Sequence, residues 1–176
     1  MSLSKLPGGF EDKAPAADDG KAMGVNAVRR GLLFFWAAWT GIVVITNLTD
    51  AVKTLAILPD SWPLASGNYA LLVKVTAIYQ TPSWLTALFF CGVILWEAAA
   101  TILYCRAALN HKRGAGTEMP EVAQEFGVSL GLWMAFMIAD EALVAYRIEN
   151  THRSIFMAQL LTLLAIWLLR DGRSRP

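Results

Sequence analysis

The sequence predicts an all-α integral membrane protein: a bundle of four membrane-spanning helices with one short interfacial helix. Hydrophobic residues make up 56% of the 176 residues and charged residues only 16%, against about 25% charged in ordinary soluble domains. The long apolar segments are 31–48, 84–105, 126–146 and 154–169. They contain only three charged residues, Glu97, Asp140 and Glu141. A helix needs about 20 mostly apolar residues to cross the hydrocarbon of a bilayer. A helix is suited to this because its backbone N–H and C=O groups form their hydrogen bonds within the helix.

The same composition excludes several partners and cofactors. A net charge of +1 provides no excess of basic residues for a phosphate backbone, so no nucleic-acid partner is expected. His111 and His152 fall in predicted loops on opposite sides of the bilayer, which argues against a haem held between them. No spacing specifies a metal, no cofactor is predicted, and the chain is not expected to be an enzyme. A bound lipid or quinone stays open.

The distribution of basic residues predicts the orientation. Residues 1–30, rich in proline, glycine and mixed charges, predict a disordered cytosolic tail. Four spans put this tail, the 106–125 loop and a C-terminal tail, 171–176, on one side of the bilayer. That side holds eleven of the 15 basic residues. By the positive-inside rule, both termini are therefore expected in the cytoplasm.

The first helix, 31–48, leads into a polar end that contains Asn47 and Asp50. The segment 68–79 that follows is apolar, but it is too short to span a bilayer and contains Lys74. It is predicted to lie in the membrane interface over the bundle, and the alternative is a re-entrant hairpin. The aromatic residues expected at headgroup level are Trp62, Tyr69, Tyr79 and Trp84.

The second helix, 84–105, carries Glu97 close to the middle of the membrane. A lone charge there costs about 2.5 to 3.5 kcal/mol, so the carboxyl is expected to be neutral or turned inward to a partner. The sequence leaves two interpretations open. Glu97 either carries a proton or binds a ligand, or it joins helices by hydrogen bonds.

The third helix, 126–146, carries adjacent acids, and Asp140 is predicted to pair with Arg147 two turns later. Asn47 and Asp50 are predicted to meet Asp140 and Glu141 in an outward-facing polar cluster. A helix-packing ladder of small residues runs along the same helix at Gly127, Gly131, Ala135 and Ala139. Glu141 lies about 200° around from this ladder, so either the ladder packs inside the bundle and Glu141 faces out, or the reverse.

The fourth helix, 154–169, is the shortest. Its 16 residues span about 24 Å, against about 30 Å of hydrocarbon. Snorkelling of Arg153 and Arg170 is expected to close this gap.

Short motifs support this topology: Asn47-Leu48-Thr49-Asp50, Gly67-Asn68, Glu97-Ala98, Leu132-Trp133 with Glu141, and the stretch Arg153 to Leu169. On these residues the chain resembles a family of bacterial predicted small integral membrane proteins, domain of unknown function 2165. The resemblance covers roughly residues 31–169 and implies four helices in a bacterial inner membrane, without an established activity. The chain departs from the family at 139–142, where members have glycines before the glutamate and a tryptophan after it. The resemblance singles out Asn47, Asp50, Glu97 and Glu141.

Three functions compete at this point. The leading hypothesis is a non-enzymatic accessory or anchoring subunit of a larger membrane complex, such as a respiratory complex. It rests on two observations: the sequence contains no catalytic constellation, and the small-residue ladder and Glu141 lie on different faces of the third helix. The second is a dimeric, proton-coupled small-molecule transporter that uses Glu97. The third, a quinone- or lipid-binding protein, rests on Glu97, Tyr104 and nearby aromatic residues. Partners expected from these hypotheses are the bilayer and either another membrane protein or a second copy.

Overall fold

The computed structural model describes residues 17–110 and 119–169. The helices are α1 (Ala17–Thr54), α2 (Asn68–Thr76), α3 (Ser83–Asn110), α4 (Met119–Ala142) and α5 (Tyr146–Leu168). A single 3-10 turn, Ala77–Tyr79, follows α2. The described residues form no strand. The predicted tail segments 1–16 and 171–176, and His111, lie outside these ranges.

Four of the helices, α1, α3, α4 and α5, are long and apolar enough to cross a membrane. This confirms the predicted all-α four-helix membrane bundle. Along the chain, α1 packs against α3, α3 against α4, and α4 against α5. The core draws on all four helices, with Leu33, Tyr104, Phe126 and Ile166 fully buried. We call the end that holds α2 and the α4–α5 turn the α2 end, and the end that holds the start of α1 the opposite end.

The first helix begins much earlier than predicted. Residues 17–30 were expected to belong to the disordered tail, but α1 includes them. This stretch has no proline and extends a helix that the apolar span already forms. Adding residues to an existing helix avoids the costly nucleation step, which accounts for the difference.

The connection between α4 and α5 also differs from the prediction. The loop expected at 147–153 is helical, and the turn lies at 143–145, between Ala142 and Tyr146. Val144 adopts a positive φ of 55° there. The polar sequence after the turn continues as helix, with Glu149 and Arg153 forming an ion pair one turn apart. Because α5 has 23 residues, or about 35 Å, the predicted shortage of length does not arise.

The short helix α2 occupies the segment predicted for it. A residue in the left-handed region lies on each side of the unit formed by α2 and the 3-10 turn: Gly67, with φ 76°, precedes α2, and Gln80, with φ 51°, follows the turn. Gly67 adopts this conformation without strain because it has no Cβ. The helix lies against α1 and α3, and Tyr79 Oη donates a hydrogen bond to the backbone oxygen of Ala142, 2.6 Å away. The segment therefore crosses the α2 end from α1 to the end of α4.

Candidate functional site

A chain of three polar side chains joins the middle of α3 to the surface. Glu97 Oε2 accepts a hydrogen bond from Asn47 Nδ2 at 2.8 Å. Asn47 Oδ1 in turn accepts one from Asn68 Nδ2 at 2.8 Å. Glu97 is 5% exposed and Asn47 1%, whereas Asn68, the first residue of α2, is exposed. The chain thus connects a buried mid-helix carboxyl group to the α2 end.

Asp50 binds α2 to the face of α1 that carries Asn47. It lies three residues after Asn47, on the same face of α1. Its Oδ2 accepts hydrogen bonds from the backbone N–H of Tyr69 at 2.8 Å and from Ser66 Oγ at 3.2 Å. The Tyr69 N–H belongs to the first turn of α2, where backbone donors have no partner within the helix and a carboxylate is favourable. Asp50 therefore caps α2 from another helix.

The face of α3 that carries Glu97 is the buried face. Phe90, Ile94 and Tyr104, which lie on that face, are all buried. The Tyr69 ring of α2 lies 5.5 Å from that of Phe90, above Glu97 on the α2 side. Towards the opposite end, Tyr104 and Phe126 meet edge-on at 5.1 Å and fill the core. Glu97 consequently has polar neighbours on one side and a packed aromatic core on the other.

A second polar pair joins α4 to α5. Asp140 Oδ2 lies 2.6 Å from His152 Nδ1, and both side chains are largely buried. The His152 ring stacks on Phe136 with centroids 4.7 Å apart. The predicted pairing of Asp140 with Arg147 is wrong, because the helix breaks at 143–145 and Arg147 is exposed on α5. The predicted loop position of His152 is wrong for the same reason.

The predicted four-residue cluster divides into separate sites. Asn47 and Asp50 bind Glu97 and α2, while Asp140 binds His152. Glu141 is exposed. The cause is the arrangement of the helices. The main neighbour of α1 is α3, and the polar side chains Asn47 and Asp50 of α1 bond to α3 and to the segment around α2. The acids of α4 lie next to α5, so Asp140 finds its partner there. Among the residues described, no group of three or more His, Cys, Asp or Glu side chains is placed to hold a metal ion.

The small-residue ladder of α4 contacts α3 at its second member. A Cβ on Gly131 would lie 3.4 Å from Trp96 Cζ2, and Trp96 Nε1 donates to the Val128 backbone oxygen at 2.9 Å. Gly131, Ala135 and Ala139 are half-buried, whereas Gly127 is exposed. Of the two predicted arrangements, the structure has the ladder facing α3 at Gly131 and Glu141 facing outward.

Sequence reasoning missed Gln159. Its Nε2 donates to Ser129 Oγ at 2.8 Å, and both residues are almost completely buried. The signal was present, since a glutamine inside an apolar span is costly unless it bonds to a neighbouring helix.

Replacing Asp50 by alanine is expected to detach α2. The change removes the acceptor of two hydrogen bonds and leaves the Tyr69 N–H without a partner, a loss of about 2 kcal/mol for a charged acceptor. Hydrogen–deuterium exchange of α2 amides should therefore accelerate markedly. Asp60→Ala provides the matched control, because Asp60 is exposed in the preceding loop. Equal exchange in the two variants would contradict the capping role of Asp50.

Comparisons of the chain with protein-family models, with curated proteins and with solved structures found no match. The resemblance to the bacterial family therefore stays a prediction.

Proposed function

We propose that this membrane protein is a proton-coupled carrier of a small solute, in which Glu97 binds and releases the proton. The observation that carries the proposal is the Asn68–Asn47–Glu97 chain of hydrogen bonds. Ionisable side chains within membrane helices are expensive, and they commonly mark ion or proton pathways. Within the described residues, this chain of hydrogen bonds links the carboxyl group of Glu97 to the surface at the α2 end, as expected for a site that exchanges a proton.

The asymmetry of the bundle favours a carrier over a channel. Towards the α2 end, Glu97 is covered by α2 and the 3-10 turn after it. Hydrogen bonds attach α2 to α1 and the 3-10 turn to the end of α4. Towards the opposite end, Leu33, Tyr104 and Phe126 are fully buried and close the path. Movement of α2 would admit a solute and a proton to Glu97 without opening the other side.

Orientation and assembly complete the proposal. With the termini in the cytoplasm of a bacterium, the α2 end faces the outside, so uptake would follow an inward proton gradient. Within one bundle, Leu33, Tyr104 and Phe126 close the path from Glu97 to the opposite end. We therefore propose a homodimer, in which the solute would leave between the two copies.

The test uses the full-length protein reconstituted in lipid vesicles that contain a pH-sensitive dye. An inward proton gradient is imposed, and organic cations, carboxylates and sugars are added as separate classes of solute. Proton entry should exceed that of protein-free vesicles with one class of solute. Equal entry in both kinds of vesicle, with every class, would contradict the proposal.

A second candidate function is that of an accessory or anchoring subunit of a larger membrane complex, such as a respiratory complex. The observation that favours it is a stripe on α4 formed by Met134, Ile138 and Glu141, all exposed. An outward carboxylate near the end of a membrane helix suits a partner helix with a basic residue at that depth. A native mass spectrum in gentle detergent tests this: a hetero-complex supports a subunit, and monomer alone counts against it. A retained lipid or quinone would appear in the same spectrum.

A further inference from the structure

The connection between α1 and α3 has an apolar exterior. We call residues 55–82 the flap, which comprises the loop after α1, α2, the 3-10 turn and the residues up to Pro82. The flap contains only two charged residues, Asp60 and Lys74. Large apolar side chains project from it, with Leu55 70% and Ile57 69% exposed. Further exposed members are Trp62, Leu64, Leu71, Val73, Ile78 and Tyr79.

Three polar side chains of the flap bond towards the bundle. Ser66 and Asn68 bond to Asp50 and Asn47 of α1, and the buried Thr76 lies 3.4 Å from Thr86 of α3. The flap thus makes polar contacts with the bundle and presents a mainly apolar outside, with Asp60 and Lys74 as its exposed charges. Soluble surfaces seldom expose apolar patches of this extent, whereas surfaces in contact with lipid do.

The start of α5 at the same end has the opposite character. The α4–α5 turn at 143–145 is itself apolar, and Val144 is exposed there. In the first turns of α5, however, Arg147, Asn150 and Arg153 are exposed, and Glu149 pairs with Arg153. Depth alone does not explain the number of apolar side chains on the flap, because the start of α5 at the same end is polar.

We propose that the flap is a lipid-binding surface that lies in the boundary between headgroups and acyl chains of the leaflet at the α2 end. Its apolar exterior continues the sides of α1 and α3, where Leu48 and Leu88 are exposed. Its aromatic residues Trp62 and Tyr79 are of the type enriched at that depth, and the exposed Lys74 of the same segment provides a positive charge for anionic headgroups. This inference does not depend on transport.

The test measures the environment of single spin labels on the full-length protein. Cys91 and Cys105 are replaced by alanine, and labels are attached to Ile57→Cys and, separately, to Leu64→Cys. The vesicles contain phosphatidylethanolamine and phosphatidylglycerol. Leu88→Cys on α3 is the reference for lipid and Asn150→Cys on α5 the reference for water, since both residues are exposed. Collisions with oxygen report lipid, and collisions with a water-soluble nickel chelate report water.

At positions 57 and 64, the ratio of oxygen to nickel collisions is expected to match that at Leu88 and to exceed that at Asn150 severalfold. A ratio equal to that at Asn150 would mean that the flap lies in water and would overturn the proposal. Protection from both reagents would mean that another protein, or a second copy, covers the flap, which would overturn it equally. Circular dichroism of each labelled variant checks that the bundle has folded.

Discussion

The Glu97→Gln variant is expected to lose proton-coupled transport while keeping the fold. The glutamine amide has the same shape as the carboxyl group, and its oxygen can still accept the hydrogen bond from Asn47. The glutamine side chain cannot bind and release a proton during a transport cycle, because an amide is not titratable in this range. Solute-dependent proton entry into vesicles should therefore fall to the level of protein-free vesicles, while circular dichroism and thermal unfolding stay close to those of the wild type.

Glu141→Gln is the matched control for this change. It removes a carboxyl group from the same bundle, but Glu141 is exposed near the end of α4. Proton entry should be unchanged in this variant. Undiminished entry in Glu97→Gln would exclude Glu97 as the proton carrier and would leave the Asn47–Glu97 bond as a structural link between α1 and α3.

The number and identity of the membrane helices could be predicted from the sequence, but their ends could not. A helix that crosses a bilayer must be apolar along its length, so each of the four long apolar segments predicts one membrane helix. Charged residues end an apolar segment without ending the helix, as Arg147 to Arg153 in α5 and residues 17–30 in α1 demonstrate. Hydropathy therefore located the spans but misplaced the helix ends: it began α1, α4 and α5 too late and continued the third helix through the turn at 143–145.

The turn between α4 and α5 explains the wrong partner of Asp140. Leu143, Val144 and Ala145 include none of the residues that usually mark a turn. Val144 nevertheless adopts a positive φ, which is uncommon for a β-branched residue. Since no local signal indicates the break, the sequence predicts that Asp140 and Arg147 share a helix face. Tertiary packing brings His152 to Asp140 instead.

For the candidate site, the sequence predicts that Glu97 has a polar partner but not which residue that partner is. The cost of exposing Glu97 to lipid predicts that it faces a polar partner inside the protein. Which partner depends on the neighbour of α3, and the sequence alone contained no information on helix order. Asn47, fifty residues away along the chain, becomes the donor because α1 packs on α3.

Asp140→Ala is expected to lower the free energy of unfolding by about 1 to 3 kcal/mol, because it leaves Nδ1 of the largely buried His152 without its hydrogen-bond partner. The affected partner is His152, held between α4 and α5 against the Phe136 ring. Thermal unfolding in detergent, followed by circular dichroism, measures the loss. The loss should be nearly absent in Asp140→Asn, because an amide oxygen can still accept a hydrogen bond from Nδ1 when that nitrogen carries the proton.

Glu141→Ala distinguishes the pairing from a general effect of charge near the end of α4. The two acids are adjacent, but Glu141 is exposed and Asp140 is 5% exposed. Substitutions of exposed residues usually change stability by less than about 0.5 kcal/mol, so this variant should unfold at nearly the wild-type temperature. Equal losses in both alanine variants would mean that His152 does not depend on Asp140. The turn at 143–145 would then have to be stabilised by its backbone hydrogen bonds, such as that from the Ala145 N–H to the Asp140 oxygen at 2.7 Å.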